Sequence, residues 1–276
     1  MELFGIYREP SHSPRRELDD SAILESVATL MERRLGVPVP LLTPEEFLAT
    51  SDEHLKAARL VFYMCEEGPC LERLRALSRQ GTMLINRIEG VENTFRQAMV
   101  QILAGLPFFP RSVMLSTGNG ASPPSWNSGI WLKRGDYHAL DAERDVVLVK
   151  DEKGLQQAMA LFLKRGITRV LAQEHIPGDI VKFYCIRDHL SDQVLWFHWF
   201  YHKDQDLRGY PFSRKELEGY CIEAGRTMEL EIFGGDAIVD GQGRIFVIDV
   251  NAWPSFALFR QEAAGHIASL MASRLT

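Results

Sequence analysis

The sequence predicts an α/β (α+β) protein, and two patterns support this fold class. Over residues 1–105, short apolar segments alternate with segments whose apolar residues have helical spacing, which is typical of parallel strands joined by crossover helices. Near the C-terminus, two β-branched apolar segments flank a turn that contains two glycines, which predicts an antiparallel hairpin. With 276 residues, of which 46% are hydrophobic, the chain can form two or three closely packed lobes.

The first lobe is predicted to alternate strands with helices. The helix at residues 21–35 has apolar side chains at three- and four-residue intervals, and Asp20 or Ser21 can cap its N-terminus. The segment at residues 106–110 marks the exit from the lobe. The predicted strands span residues 3–7, 37–41, 59–64 and 82–86, and the other helices span residues 44–48 and 69–80.

The remaining chain is predicted to form two further parts. A helix over residues 92–100 precedes a loop at residues 121–129, which leads to a strand that carries Lys133. The second part continues with a strand at 145–149, a helix at 153–165 and a strand that ends at Gln173. The last part contains a strand at 193–201, a helix at 213–230 and the C-terminal hairpin.

The hairpin carries three side chains with oxygen atoms. Its apolar segments are residues 237–239 and 245–248, and side chains alternate between the faces of a strand, so Asp249 and Asn251 lie on the same face. Asp236 begins the partner strand and can point at the same place. Carboxylate and amide oxygens suit Mg²⁺, which also binds substrate phosphates. The alternative is an ordinary surface hairpin with polar residues at its ends.

The hairpin resembles the metal-binding end of the ATP-grasp superfamily. Asp236, Asp249 and Asn251 match the acidic residue and the acidic-x-Asn pair that hold magnesium against ATP in that superfamily. The run at residues 248–254 looks like the version in the RimK-like and inositol trisphosphate 5/6-kinase-like branch, although Ser255 replaces the usual glycine. The resemblance implies an ATP-grasp fold in which two lobes clasp ATP behind an N-terminal α/β lobe.

A second stretch, at residues 170–186, resembles the strand and hinge that receive adenine in this superfamily. The resemblance implies that Asp179 reaches the ribose and that Lys182 points towards the phosphates or the acceptor. A plain core strand with a solvated lysine is the alternative. The hinge residues implied to bind the nucleotide are Gln173, Glu174, His175 and Ile176.

Two further basic positions complete the implied nucleotide site. Lys133 lies in a segment that resembles the strand whose lysine contacts the α and β phosphates, followed by a glycine loop. Arg96 matches the first basic phosphate contact, although a solvated helix face would also explain it. His138 lies where the kinase branch has a histidine, which makes it a candidate for contact with the acceptor. The implied catalytic residues are therefore Lys182, Arg96 and His138.

The resemblance also implies how the chain is divided and what it does. Residues 1–105 correspond to a pre-ATP-grasp lobe, residues 106–180 to a small lid lobe, and residues 181–276 to a lobe that binds metal and substrate. The implied cofactors are ATP and Mg²⁺, with two ions possible. The implied reaction is a carboxylate-amine ligation through an acyl phosphate. The alternatives are a small-molecule kinase of the inositol-phosphate type and a regulatory protein that binds ATP without turnover.

The acceptor is not identified by any motif and can be a small molecule or a peptide. Candidates for its pocket are the aromatic and basic run at residues 196–203, Arg208, and the loop at residues 8–16. Arg15 and Arg16 in that loop would grip an anionic group if they are functional. Alternation along 196–202 predicts that at least half of these side chains belong to the core.

Charge, cysteine spacing and the absence of long apolar runs argue against several other classes of protein. The net charge of −6 argues against a general binder of nucleic acid or of anionic membranes. Four scattered cysteines lack zinc-finger spacing and are expected to be reduced thiols. No signal sequence and no apolar run of about 20 residues is present, so we expect a cytoplasmic protein.

Overall fold

The computed structural model describes residues 3–12, 17–118, 128–135 and 142–275. Arg15 and Arg16, most of the predicted loop at 121–129, and His138 lie outside the described residues. The described chain contains three four-stranded sheets that follow one another along the sequence. The mixed α/β fold class predicted from the sequence is confirmed.

The first sheet is parallel and has the strand order β2-β1-β3-β4. Helices connect its strands, as the alternation of patterns predicts. The elements are β1 (Leu3–Ile6), α1 (Glu17–Leu35), β2 (Leu41–Leu42), α2 (Pro44–Ala49), α3 (Asp52–Leu55), β3 (Leu60–Tyr63), α4 (Gly68–Arg79), β4 (Met83–Ile85), α5 (Ile88–Asn93) and α6 (Arg96–Leu103).

Two predictions in this region are wrong in their bounds. The strand predicted at residues 37–41 is only the two-residue β2, because Pro38 and Pro40 have no N–H group to donate to a sheet. The helix predicted at residues 92–100 is broken into α5 and α6 at Thr94 and Phe95. Phe95 has the extended backbone of a helix N-cap, so α6 starts at Arg96.

The second sheet is antiparallel and has the order β5-β8-β6-β7, with helix α8 packed against one face. Asp151 caps α8, since its carboxylate accepts a hydrogen bond from the Gly154 amide at 2.7 Å. Strand β5 has no counterpart among the predicted elements. The elements are β5 (Ser112–Ser116), β6 (Ile130–Arg134), α7 (Ala142–Asp145), β7 (Val146–Val149), α8 (Glu152–Lys164) and β8 (Arg169–Glu174).

The third sheet is also antiparallel and has the order β10-β9-β11-β12. Its last two strands form the predicted hairpin, but β11 is longer than predicted, so Asp236 lies in the middle of that strand. No helix in the described part of the chain is both long and apolar enough to cross a bilayer. The elements are β9 (Gly178–Arg187), β10 (Val194–Tyr201), α9 (Arg214–Thr227), β11 (Ile232–Asp240), β12 (Ile245–Ala252) and α10 (Arg260–Leu275).

Both faces of the third sheet are buried over much of their area. On one face Val181, Phe183 and Cys185 pack with helix α9 and with parts of the first lobe. On the other face Tyr184 and Ile186 pack with α10. The aromatic strand β10 contributes side chains to the packing on both faces of the sheet. Its side chains therefore largely pack against the core, as alternation predicts.

Asn86, directly after β4, connects the first sheet to the third. Its side chain is fully buried, and its Oδ1 accepts hydrogen bonds from the backbone amides of Glu231 and Ile232, each at 2.8 Å. Its Nδ2 donates to the carbonyl of Ile232 at 2.7 Å. Because β11 begins at Ile232, Asn86 fixes where the hairpin starts relative to the first lobe.

We expect Asn86→Leu to lower the free energy of unfolding by about 3 kcal/mol or more, because two buried amides lose their acceptor. Asn93→Leu is the matched control, since it removes a single bond, from Asn93 Nδ2 to the Met228 carbonyl at 3.2 Å. Its expected cost is about 1 kcal/mol. Urea denaturation of both variants measures the difference, and equal costs would contradict the bridging role of Asn86.

Candidate functional site

The site is built around a row of side chains that crosses the third sheet. Lys182 on β9 lies opposite Asp236 on β11, and Asp236 lies opposite Asp249 on β12. Residues paired across strands point to the same face, so these three side chains are neighbours. Asn251 lies two positions beyond Asp249 on the same face, and its Nδ2 is 3.5 Å from Asp249 Oδ2. The three predicted metal ligands are therefore brought together.

Gly235 allows the two hairpin strands to approach closely at this row. A Cβ atom on Gly235 would lie 2.1 Å from the Asp249 carbonyl oxygen, which no side chain can tolerate. A glycine is therefore required beside Asp236, because β11 and β12 approach each other closely at this position.

Lys182 forms an ion pair with Asp236, with 2.6 Å between Nζ and Oδ1. Both side chains are partly exposed, so this pair faces an open part of the site. Lys182, which is predicted to contact the phosphates or the acceptor, therefore lies beside Asp236, which is a predicted metal ligand.

Lys133 enters the site from the second sheet. Its Nζ donates to Gln173 Oε1 at 2.9 Å and to the Ile248 carbonyl at 3.4 Å, so it reaches the residue just before Asp249. The side chain is only 7% exposed. Burial lowers the pKa of Lys133 to about 8, and Asp249 acts in the opposite direction. The sequence gives no sign of the contact with Gln173, because the two residues lie 40 positions apart.

Arg96 lies at the start of α6 and is almost completely buried. Its Nη1 donates a hydrogen bond to the carbonyl of Arg134 at 3.0 Å. Arg134 directly follows Lys133 in β6. Its positive charge also contributes to the lowered pKa of Lys133, after burial. The two predicted phosphate contacts, Arg96 and Lys133, are thus close to each other, and Lys133 also contacts the hairpin.

The predicted adenine hinge lies at the end of β8. Glu174 is held by a two-pronged ion pair with Arg111, with distances of 2.8 and 2.6 Å. The His175 amide donates to the Gly129 carbonyl at 3.1 Å, and its Nδ1 accepts from Trp131 Nε1 at 3.0 Å. Burial lowers the pKa of His175. Ile176 is buried beside this segment, so the end of β8 is a fixed, partly apolar edge.

Asp179 is placed on the face of β9 opposite to Lys182. It lies three positions before Lys182 on β9, so alternation puts the two side chains on opposite faces of the sheet. Its two carboxylate oxygens accept hydrogen bonds from the amides of Arg208 and Tyr210, at 2.7 and 3.0 Å. Asp179 therefore anchors the segment after β10, and we do not include it in the proposed nucleotide site.

The aromatic run and Arg208 also have structural partners. Trp199 packs edge-on against Phe212 at 5.3 Å and lies beneath the guanidinium of Arg214. His198 contacts the ring of Phe259 at 4.2 Å. Arg208 pairs with Asp206 at an exposed position. None of these contacts points to an acceptor pocket.

The residues of the row suit a hard divalent cation. Asp236 and Asp249 supply carboxylate oxygens and Asn251 supplies an amide oxygen, which is the donor chemistry that Mg²⁺ prefers. Lys133 and Arg96 lie on the neighbouring elements and can offset the charge of a polyphosphate. The donor set therefore fits a magnesium nucleotide.

Comparison with solved structures shows similarity over the whole chain. A D-alanine–D-alanine ligase from Bacillus anthracis, solved with ATP, has a TM-score of 0.71 at 13% identity and covers 100% of this chain and 96% of that one. The corresponding enzyme from Coxiella burnetii has a TM-score of 0.67 at 14% identity, with 99% and 94% covered. The ATP-grasp ligase PsnB, in complex with a minimal precursor, has a TM-score of 0.63 at 17% identity, with 99% of both chains covered.

Sequence comparison adds less. No family model matches the chain. A stretch of 92 residues is 27% identical to a tRNA uridine(34) hydroxylase of Nitrobacter hamburgensis. That stretch is 33% of this chain and 36% of the hydroxylase, so the match carries no argument about the activity of this chain.

Proposed function

The chain has the ATP-grasp fold, and from that premise we propose that it is an ATP- and Mg²⁺-dependent ligase that joins a carboxylate to an amine. The observation that carries the nucleotide site of this proposal is the contact between Lys133 and the backbone beside Asp249, and the similarity to solved ligases of this fold favours a ligase. It places a buried cation of the second sheet against the proposed metal ligands of the third sheet. A bound nucleotide would lie between these two sheets.

We assign the nucleotide contacts as follows. Lys133 and Arg96 bind the phosphates, and their burial strengthens the attraction because little water screens the charges. Gln173 orients Lys133, and the edge at Glu174, His175 and Ile176 receives the adenine. This division of roles is supported by the register of β6 and β8, which puts Lys133 and Gln173 on the same face of the second sheet, and by the contact of Lys133 with the hairpin.

The metal would be held by Asp236, Asp249 and Asn251. Bound there, Mg²⁺ would neutralise phosphate charge and fix the polyphosphate in position. Lys182, beside Asp236, is proposed to neutralise the charge on the transferred phosphoryl group. In the proposed reaction the substrate carboxylate attacks the γ-phosphate, ADP leaves, and an amine then displaces phosphate from the acyl phosphate. The protein's main contribution is positioning and charge compensation.

A small-molecule kinase is the second candidate. It is favoured by Asp249, where many ATP-grasp members have glutamate, and by the spacing from Asn251 to Pro254. The same cations and metal ligands would serve it, since phosphoryl transfer to a hydroxyl needs the same charge compensation.

Measurement of ADP release tests the proposal and separates the candidates. We expect that ADP release requires a carboxylate and an amine together. The product should have the combined mass of these two precursors less one water. Release with a polyol alone, giving a phosphorylated product, would replace the ligase by the kinase. Tight ATP binding with no release from any pair of acceptors would instead indicate a regulatory protein.

A further inference from the structure

Arg8 connects the first lobe to the end of the metal-binding hairpin. It lies two residues after β1, and its side chain is only 10% exposed. Its Nη2 donates to the carbonyl of Trp253 at 2.7 Å and to the carbonyl of Ala252 at 3.3 Å. Ala252 is the last residue of β12 and directly follows Asn251, so Arg8 binds the backbone beside a proposed metal ligand.

Two carboxylates hold the guanidinium of Arg8 in place. Asp20 of α1 lies 3.2 Å from Nε, and Glu66, after β3, bonds to Nη1. Glu66 is itself fixed, since its amide and that of Glu67 donate to the carboxylate of Glu9 at 3.0 to 3.1 Å. The planar fork of arginine can bind acids and carbonyls in several directions at once, which a lysine ammonium cannot do with the same geometry.

The chain after Asn251 needs such support, because it turns sharply. Trp253 has a φ of +43°, a conformation that a bulky residue adopts only when its surroundings hold it there. Its ring is buried, and its Nε1 donates to the Ile85 carbonyl of the first sheet at 3.1 Å. The end of β12 is thus hydrogen-bonded to the first lobe through the side chain of Trp253 and through the carbonyls of Ala252 and Trp253.

We propose that Arg8 is a positioning residue for the magnesium site: it holds the end of β12 so that Asn251 and Asp249 stay aligned with Asp236. The proposal rests on the function proposed above. It implies that the first lobe contributes to metal affinity without supplying a ligand. Groups that orient metal ligands from behind change metal affinity by about 10- to 100-fold when they are removed.

The test is a titration of Mg²⁺ at fixed ATP, with binding followed by calorimetry, on wild type, Arg8→Met and Arg8→Lys. We expect the half-saturating Mg²⁺ concentration to rise about tenfold or more in Arg8→Met. Arg8→Lys should show a smaller rise in the same direction, and it decides the question if the methionine variant does not fold. Binding of ATP without Mg²⁺ should not change, because Lys133 and Arg96 are untouched.

Arg187→Met is the matched control. Arg187 is also a buried arginine that donates to a carbonyl, that of Leu230 at 3.1 Å, and pairs with an aspartate. Leu230 is six residues from Asp236, the nearest proposed ligand in sequence, so this variant should lose stability and keep the wild-type Mg²⁺ dependence.

The outcomes separate the two proposals. If wild type binds ATP with a clear Mg²⁺ dependence and the Arg8 variants share its half-saturation, the role of Arg8 is overturned while the proposed function stands. An equal rise in Arg187→Met would also overturn it, because the effect would then reflect general destabilisation. If ATP binding by wild type did not depend on Mg²⁺, the proposed function itself would be contradicted, together with the role of Arg8.

Discussion

Replacing Lys133 by methionine is expected to lower ATP affinity at least a hundredfold without destabilising the nucleotide-free protein. The buried ammonium of Lys133 lies 3.4 Å from the carbonyl of Ile248, beside Asp249, so its loss removes the proposed contact with phosphate. Charge-assisted contacts that are lost in a buried site cost about 3 kcal/mol, which corresponds to a hundredfold or more. Isothermal titration with ATP measures the loss, and Lys153→Met, on the exposed side of α8, is the control.

The nucleotide-free stability of Lys133→Met should be unchanged or raised at pH 7. The pKa of Lys133 is lowered from 10.5 to about 8 by burial, so carrying the charge in the folded state costs about 3 kcal/mol at neutral pH. Loss of the bond to Gln173 costs about 1 to 2 kcal/mol, which is smaller. A marked fall in melting temperature would contradict the assignment of Lys133 as a functional and not a structural lysine.

The pH dependence of this difference has a definite sign. Below pH 8 both the folded and the unfolded wild type carry a charged Lys133, so the burial penalty is complete. Between pH 8 and 10.5 the folded protein releases this proton before the unfolded chain does, and wild type gains stability relative to Lys133→Met. Over the same rise in pH, wild type should bind ATP more weakly, because Lys133 loses its charge. If the free energy of unfolding of wild type did not rise relative to that of Lys133→Met between pH 8 and 10.5, the lowered pKa would be contradicted.

Replacing Asp249 by asparagine is expected to reduce ADP release at least a thousandfold while the fold is kept. The substitution preserves the shape of the side chain but removes a negative charge from the end of the row formed with Asp236 and Lys182. Mg²⁺ binds carboxylates far better than amides, so at the proposed site the metal and the polyphosphate would lose their fixed position. Steady-state release of ADP at saturating Mg²⁺ measures the effect.

Asp240 offers a matched control on the same hairpin. Its carboxylate accepts hydrogen bonds from the amides of Gln242 and Arg244, each at 2.9 Å, and therefore holds the turn. Asp240→Asn should lower stability and leave the Mg²⁺ requirement unchanged. If Asp249→Asn turned over ATP as fast as Asp240→Asn, the assignment of Asp249 as a metal ligand would be wrong.

Local patterns predicted the parts of this molecule that depend on local chemistry. The hairpin, and the shared face of Asp249 and Asn251, follow from the two-residue period of a strand. The two-residue length of β2 could also have been foreseen, since the prolines at 38 and 40 are visible in the sequence.

Contacts between distant segments could not be predicted in this way. Lys133 and Ile248 lie 115 positions apart, and Arg8 and Trp253 lie 245 apart. Neither pair leaves a periodic signal, because each depends on how the sheets are stacked. The anchoring role of Asp179 was hidden for the same reason, as its partners lie beyond the next strand. The predicted contact of His138 with the acceptor stays a prediction.

The most direct test of the central claim is a thermal-shift titration with ATP, with and without Mg²⁺, on wild type and Asp249→Asn. A ligand that binds only the native state must raise the melting temperature. We expect a rise in wild type that depends on Mg²⁺ and that Asp249→Asn abolishes. A wild type whose melting temperature does not respond to ATP and Mg²⁺ would contradict the proposed nucleotide site, and an equal response in both proteins would contradict the metal site.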